Sequence, residues 1–232
     1  MNKVISILDK ILDAIVVIIC ILLLLIGVYS MLDNMWLYQN AADESVLYYK
    51  PGLDAPLGDR IISEKQKAWL YVEDTNIDYP VMQGEDNFEY LNMDPYGEFS
   101  LSGAIFLDYR CEEDLTDAYS LVYGHHMEHG KMFGALDDFK DRAYFDAHRN
   151  GKVVTKRKVY DFEIFAVCAA DGTDPLFFNP QGRLTSEIRH YLRENAIIYV
   201  EPDEDLSILA LSTCSGDTYM ARLLVFGTLK EK

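Results

Sequence analysis

The sequence predicts a mainly β domain, a barrel or sandwich with added helices, set behind one apolar N-terminal segment. Three observations predict it. Short runs of apolar and β-branched residues recur from Ala68 to Leu229 with turn residues between them. Late in the chain, Ser186–Asn195 carries helical spacing. Near the start, Ala14–Leu32 runs without a charge.

That first segment is dominated by Ile, Val and Leu and is long enough to cross a hydrocarbon core of about 30 Å as a helix. A cleaved signal peptide has a shorter apolar region followed by a small-x-small site, which Gly27-Val28-Tyr29-Ser30-Met31 matches poorly. An uncleaved anchor is expected. Lys3 and Lys10 precede it, and the flank beyond it (Asp33, Asp43, Glu44) has no lysine until Lys50, which puts the C-terminal part outside the cell. The expected organisation is a short cytoplasmic tail (1–13), a transmembrane helix (14–32), a helical lead-in and linker containing Pro51 and Pro56 (33–67), and a folded domain (68–232).

Within that domain, Ala68–Val72, Ile77–Gln83 and Ala104–Tyr109 read as strands separated by Asp74-Thr75-Asn76 and Gly84-Glu85-Asp86-Asn87. Gly103 stands just before the third, as at a tight bend. Ser120–Tyr123 is a strand that ends in Gly124 and His125. Lys152–Thr155 and Val159–Cys168 follow. The helix Ser186–Asn195, with Thr185 or Ser186 as its expected N-cap, places Ile188, Tyr191 and Leu192 on one face. Ala196–Val200, Leu206–Thr213 and the run opened by Arg222 complete the strands.

Composition removes several functions. With 21 basic and 38 acidic residues in 232, the net charge of −17 argues against nucleic acid or an anionic lipid surface as partner. No phosphate-binding glycine loop, repeat or low-complexity tract is present. Four cysteines are too few for a disulfide scaffold. Cys20 lies in the apolar segment; Cys111 and Cys168 read as two buried thiols, with a bridge in an exported domain as the alternative.

The chemistry concentrates in Leu206–Leu229. Cys214 ends one strand and Arg222 opens the next. Alternation puts Ile208, Ala210, Ser212 and Cys214 on one face of the first, and Arg222, Leu224 and Phe226 on one face of the second. Antiparallel pairing with Cys214 opposite Arg222 sets their Cβ atoms about 5 Å apart. A guanidinium there favours the thiolate, which is the nucleophile; the alternative is a cysteine packed as a small hydrophobe. His125 and His129 are spaced to share a metal on a helix. The segment has no HExxH and no third ligand, so no metal is expected. A strand-end histidine, His125 or His126, suits a general acid/base working with a strand-end cysteine.

These residues resemble the sortase family, and class B within it. Leu211-Ser212-Thr213-Cys214 is similar to the family's TLxTC signature, with Ala210 where threonine is usual. Arg222 matches the active-site arginine, and Tyr123-Gly124-His125-His126-Met127 the stretch around the catalytic histidine. The Gly-His pair selects His125. Ile77-Asp78-Tyr79-Pro80-Val81, Tyr90-Leu91 and Ser102–Arg110 also match, so the resemblance runs from about residue 68 to the end. It implies a closed β-barrel of about eight strands with a helical lead-in and a helix between late strands. It further implies a membrane-anchored cysteine transpeptidase with its catalytic domain extracellular. Such an enzyme cuts a C-terminal sorting signal of a secreted protein and transfers the product to an amine of the peptidoglycan precursor. Cys214 would be the nucleophile, His125 the acid/base and Arg222 the donor to substrate or oxyanion, with no cofactor and no metal. Ser212, sharing the Cys214 face, is a candidate for substrate binding. The Cys–Arg connection Ser215–Ala221 is short. A pilin-polymerising enzyme using a subunit lysine, a non-transferring cysteine protease and a non-enzymatic surface scaffold are the alternatives.

Overall fold

The structure, a computed structural model, describes the backbone of residues 2–40, 44–214 and 221–232; side chains are described in these ranges except at 2–4, 6, 34, 36–40, 44 and 214. The Cys–Arg connection at 215–220 therefore lies outside the described residues. The chain divides into two compact units, Met1–Asn40 and Ala41–Lys232.

The first unit is one helix, α1 (Asn2–Asn40). Ile7–Asp33 within it, at mean hydropathy 3.3, is long and apolar enough to cross a membrane. The helix overruns the charge-free stretch at both ends because neither flank contains a proline to stop it.

The second unit starts with a 3₁₀ helix at Glu44–Tyr49. Its strands are β1 (Gln66–Val72), β2 (Asp78–Met82), β3 (Ile105–Leu107), β4 (Tyr119–Tyr123), β5 (Asn150–Thr155), β6 (Val159–Asp171), β7 (Ile198–Tyr199), β8 (Ser207–Cys214) and β9 (Ala221–Glu231). They form one sheet in the order β5-β1-β2-β3-β4-β8-β9-β6-β7, and β5 also pairs with β6. Eight strands therefore close on themselves and β7 is appended to β6, which is the barrel expected from the sequence. Two pairings are parallel, β2 with β3 and β4 with β8.

Alternation along β8 and β9 serves two apolar layers. Leu209, Leu211, Leu223 and Val225 join the main core with Leu70, Val122, Val153 and Phe162. Ile208, Ala210, Leu224 and Phe226 form a second layer, covered by Phe177 of α3 (Pro175–Phe178) and by Ile188 and Leu192 of α4 (Thr185–Asn195). Strands apolar on both faces read as continuous hydrophobic runs, which is how Leu206–Thr213 reads. Each large side chain buried in either layer contributes roughly 1.5–3 kcal/mol.

Some local expectations change. Helix α4 starts at Thr185 with Leu184 as N-cap and no side-chain cap, so neither Thr185 nor Ser186 caps it. The Thr185 hydroxyl instead lies 3.1 Å from Asp205 Oδ1, a tertiary bond that outcompetes the local one. Between β4 and β5 the chain forms a 3₁₀ helix (Phe133–Lys140) and α2 (Arg142–Ala147), which bury Phe133, Leu136, Phe139 and Phe145 in the main core. Cys111 and Cys168 are both free and buried, settling them as separate thiols.

Candidate active site

The site is built on the C-terminal end of β8. On one side, β4 runs parallel to β8 with Tyr123 opposite Ser212, and Gly124 N–H donates to the Ser212 carbonyl at 3.1 Å. His125 lies two residues beyond Tyr123 and Cys214 two beyond Ser212, so the two backbones reach the same level. On the other side, β9 runs antiparallel with Cys214 opposite Arg222. Two consecutive strands, β8 and β9, and one segment distant from them in sequence, the end of β4, thus converge.

A cavity of about 330 Å³ opens, and His125, Ser212 and Arg222 all line it. Cys214 is described by its backbone alone. His126 and His129 are exposed and do not line the cavity; His126 Nε2 lies 2.8 Å from Asp137 Oδ2. The structure therefore separates the two adjacent histidines that spacing left open. Among the described residues, no group of three His, Cys, Asp or Glu side chains is placed to hold a metal.

His125 is half-buried with its Nε2 2.7 Å from the carbonyl oxygen of Leu91. A carbonyl can only accept, so Nε2 carries the proton and Nδ1 is the nitrogen left for proton exchange. The Leu91 carbonyl thereby fixes the orientation of the imidazole, as a third group does beside a general base. It is itself held. Leu91 ends a 3₁₀ helix (Glu89–Leu91), and Ala104 N–H donates to the neighbouring Tyr90 carbonyl at 3.0 Å. Gly103, at φ +58°, packs against both carbonyls so closely that a Cβ would stand 2.5 Å from Tyr90 O and 2.6 Å from Leu91 O.

The backbone of His125 is fixed from the other side as well. Phe133 N–H donates to the His125 carbonyl at 3.0 Å. The Phe133 ring leaves no room at Gly124, where a Cβ would come within 2.4 Å of Ile105 Cδ1 and 2.7 Å of Phe133 Cδ2. Before Phe133, Met132 sits at φ 49°, and its N–H donates to the Tyr79 hydroxyl at 3.0 Å. A left-handed methionine persists only where its surroundings dictate it; burial and Tyr79 do so here.

Arg222 is half-buried, and its Nη1 donates to the Ala221 carbonyl at 3.0 Å. Across the β6–β9 pairing, the Thr173 hydroxyl and amide hold the Asp171 carboxyl below its usual range, and the charge of Arg222 adds to that. Ser212 and Thr213 are buried with hydroxyls that find no hydrogen-bond partner among the described residues. Buried hydroxyls are normally paired, so these two stand out beside the cavity that their residues line.

The sequence reading singled out His125, Ser212 and Arg222 but missed Asn87, Leu91, Arg110, Tyr123 and Thr213, which line the same cavity. Leu91, Arg110, Tyr123 and Thr213 fall within the stretches that carry the family resemblance, and Asp108-x-Arg110 is a further signal, an acid and a base two residues apart at a strand end, where both can lie on one side.

Comparison with known proteins gives a consistent result. A sortase-domain family model matches residues 70–230. Sortase B of Listeria monocytogenes is 31% identical over 178 residues, which cover 74% of this chain and 72% of that protein. Among solved structures, a Streptococcus pyogenes class B sortase involved in pilus biogenesis is 38% identical with a TM-score of 0.67, covering 73% of this chain and 94% of that one. A Bacillus anthracis protein described as similar to sortase B is 30% identical with a TM-score of 0.65, covering 74% of this chain and 80% of that one.

Proposed function

This chain belongs to class B of the sortase family, which are cysteine transpeptidases, and we propose that it cleaves a C-terminal sorting signal of a secreted protein and joins the product to an amine of the peptidoglycan precursor. One observation carries this reading. His125, Arg222 and Ser212 line one cavity at the strand end where the Cys214 backbone pairs with Arg222.

In this reading the Cys214 thiolate attacks the scissile carbonyl carbon. The C–S bond forms, the C–N bond breaks, and a thioacyl enzyme results. His125, its Nε2 held by Leu91, gives a proton from Nδ1 to the departing amine and later takes one from the incoming amine. Arg222 donates to the developing oxyanion, a contact whose loss costs on the order of 3 kcal/mol in comparable sites. Ser212, whose hydroxyl finds no partner among the described residues, is the residue of the cavity wall assigned to contact with the peptide. Residues 14–32 span the membrane, 1–13 lie in the cytoplasm, 33–67 form the lead-in, and 68–232 are the extracellular catalytic barrel.

A second reading changes only the acceptor. The Streptococcus pyogenes relative is involved in pilus biogenesis, and its similarity favours a subunit lysine as the attacking amine. Both readings are tested by trapping the enzyme on a library of sorting peptides and reading the adduct by mass spectrometry. A thioacyl adduct at Cys214, resolved to an amide by peptidoglycan-type amines, is expected. An amide formed with pilin lysine alone selects the second reading, release of free acid alone selects a protease, and no adduct at Cys214 rejects all three.

A further inference from the structure

Asp108, the residue after β3, has no exposed surface and is not part of the cavity wall, yet it holds three side chains that are. Its Oδ1 accepts from Arg110 Nε at 2.8 Å and from Arg110 N–H at 3.0 Å. Oδ2 accepts from Arg110 Nη2 at 2.7 Å, Asn87 Nδ2 at 2.8 Å and the Tyr123 hydroxyl at 2.9 Å. Asn87, Arg110 and Tyr123 all line the cavity. A fully buried carboxylate is costly unless its lone pairs are satisfied, and satisfied networks of this kind rigidify what they touch.

Arg110 carries the connection further. Nη2 also donates to the Phe178 carbonyl at 2.8 Å, and Nη1 to Asn179 Oδ1 at 3.3 Å. The Tyr123 ring stacks on the Phe178 ring at 6.5 Å between centroids. One acid thus ties β3, the β2–β3 connection, the end of β4 and the end of α3 together. The guanidinium grips both carboxylate oxygens, a fork geometry that lysine cannot reproduce.

We propose that Asp108 is a positioning residue that presets the Asn87–Arg110–Tyr123 wall and, through Arg110, fixes the Phe178–Asn179 segment, so that the sorting peptide meets a formed groove. The proposal rests on the transpeptidase reading for its ligand, but the wall itself is read without one.

The test uses the full chain in detergent. Asp108→Asn is expected to raise the KM for a sorting peptide about tenfold or more while kcat changes less than about threefold. The pH profile of Cys214 alkylation by iodoacetamide is expected to stay that of the parent, because the bonds that Asp108 and Arg110 make go to Asn87, Tyr123, Phe178 and Asn179, and the His125 ring is held by Leu91 instead. Amide hydrogen exchange over 172–182 is expected to accelerate without any peptide present. The double variant Asp108→Asn/Arg110→Gln, which avoids an unpaired buried charge, is expected to show the same pattern if the single variant does not fold. Unchanged exchange over 172–182 in a folded variant overturns the proposal, as does an unchanged KM. A shifted alkylation profile also overturns it by placing Asp108 in the Cys–His chemistry. A parent enzyme that forms no thioacyl adduct sinks the transpeptidase reading alone, since the exchange measurement still decides the wall.

Discussion

The orientation of His125 depends on a glycine far from it in sequence, and Gly103→Ala isolates that dependence. Two costs are expected. An L-residue at φ +58° pays about 1–2 kcal/mol for left-handed backbone. The new Cβ, placed 2.5 Å from Tyr90 O and 2.6 Å from Leu91 O, meets backbone atoms that cannot rotate away. Overpacking of that kind costs about 1–3 kcal/mol. Gly97 supplies the control, because it also has positive φ (+89°) but nothing within 4 Å of its Cβ position. Each kcal/mol lowers Tm by roughly 2–4 °C in a domain of this size, so Gly103→Ala should lose about twice what Gly97→Ala loses. Activity should separate them more sharply. Pushing Leu91 O aside removes a hydrogen bond worth about 1 kcal/mol, which sets a floor of about fivefold on the loss of kcat. Acid–base catalysis as a whole contributes about 10²–10⁴-fold, which sets the ceiling. Transpeptidation by the two variants, measured beside their melting curves, decides it. If Gly103→Ala melts early yet turns over like Gly97→Ala, the Leu91 carbonyl does not orient His125.

Other expectations follow from the same geometry. Burial pushes the Cys111 thiol up to about 12 and the Cys168 thiol up to about 11; peptide mapping after alkylation near pH 8 should find both unlabelled until the protein is unfolded, and native labelling of either contradicts the fold. Tyr79→Phe leaves the Met132 N–H unpaired at a cost of about 1–3 kcal/mol, and should lower Tm and slow proton transfer at His125, whose carbonyl the next residue holds; an unchanged melting curve would show that the hydroxyl does not pin Met132. Burial alone would raise the Asp108 carboxyl, but its bonds from Arg110, Asn87 and Tyr123 outweigh burial and hold it below the ordinary 3.8. A depressed folded value gives stability that is present above the ordinary one and lost as pH falls through the folded one. Melting temperature should therefore decline below about pH 4 in the parent and more gently in Asp108→Asn, and identical acid limbs would contradict this. Arg222→Lys keeps the charge but not the fork, and should reduce thioacyl formation about 10²–10³-fold; parent-like rates would remove Arg222 from oxyanion binding.

Much of this molecule could be read from patterns a few residues long. Apolar and β-branched runs marked the strands because the side-chain period of a strand is local. The opposition of Cys214 and Arg222 was legible for the same reason, since a short connection between two alternating runs leaves few registers. The charge-free N-terminal run needed only its length and composition. Other features lay beyond any local pattern. The parallel β4–β8 pairing joins segments separated by residues 124–206, about half of the domain, and it brings His125 level with Cys214. Spacing could not choose between His125 and His126, because the choice rests on which ring meets Leu91 O and which meets Asp137. The helices over Phe133–Lys140 and Arg142–Ala147 stayed hidden because short helices owe their stability to the aromatic rings they bury rather than to propensity. Asp108 looked like an ordinary acid at a strand end. Arg110 is a local partner two residues on, but only the tertiary fold brings Asn87 and Tyr123 to the same carboxylate. Strand identity is carried by period and composition. The walls of a cavity are made of residues that meet only once the sheet has closed.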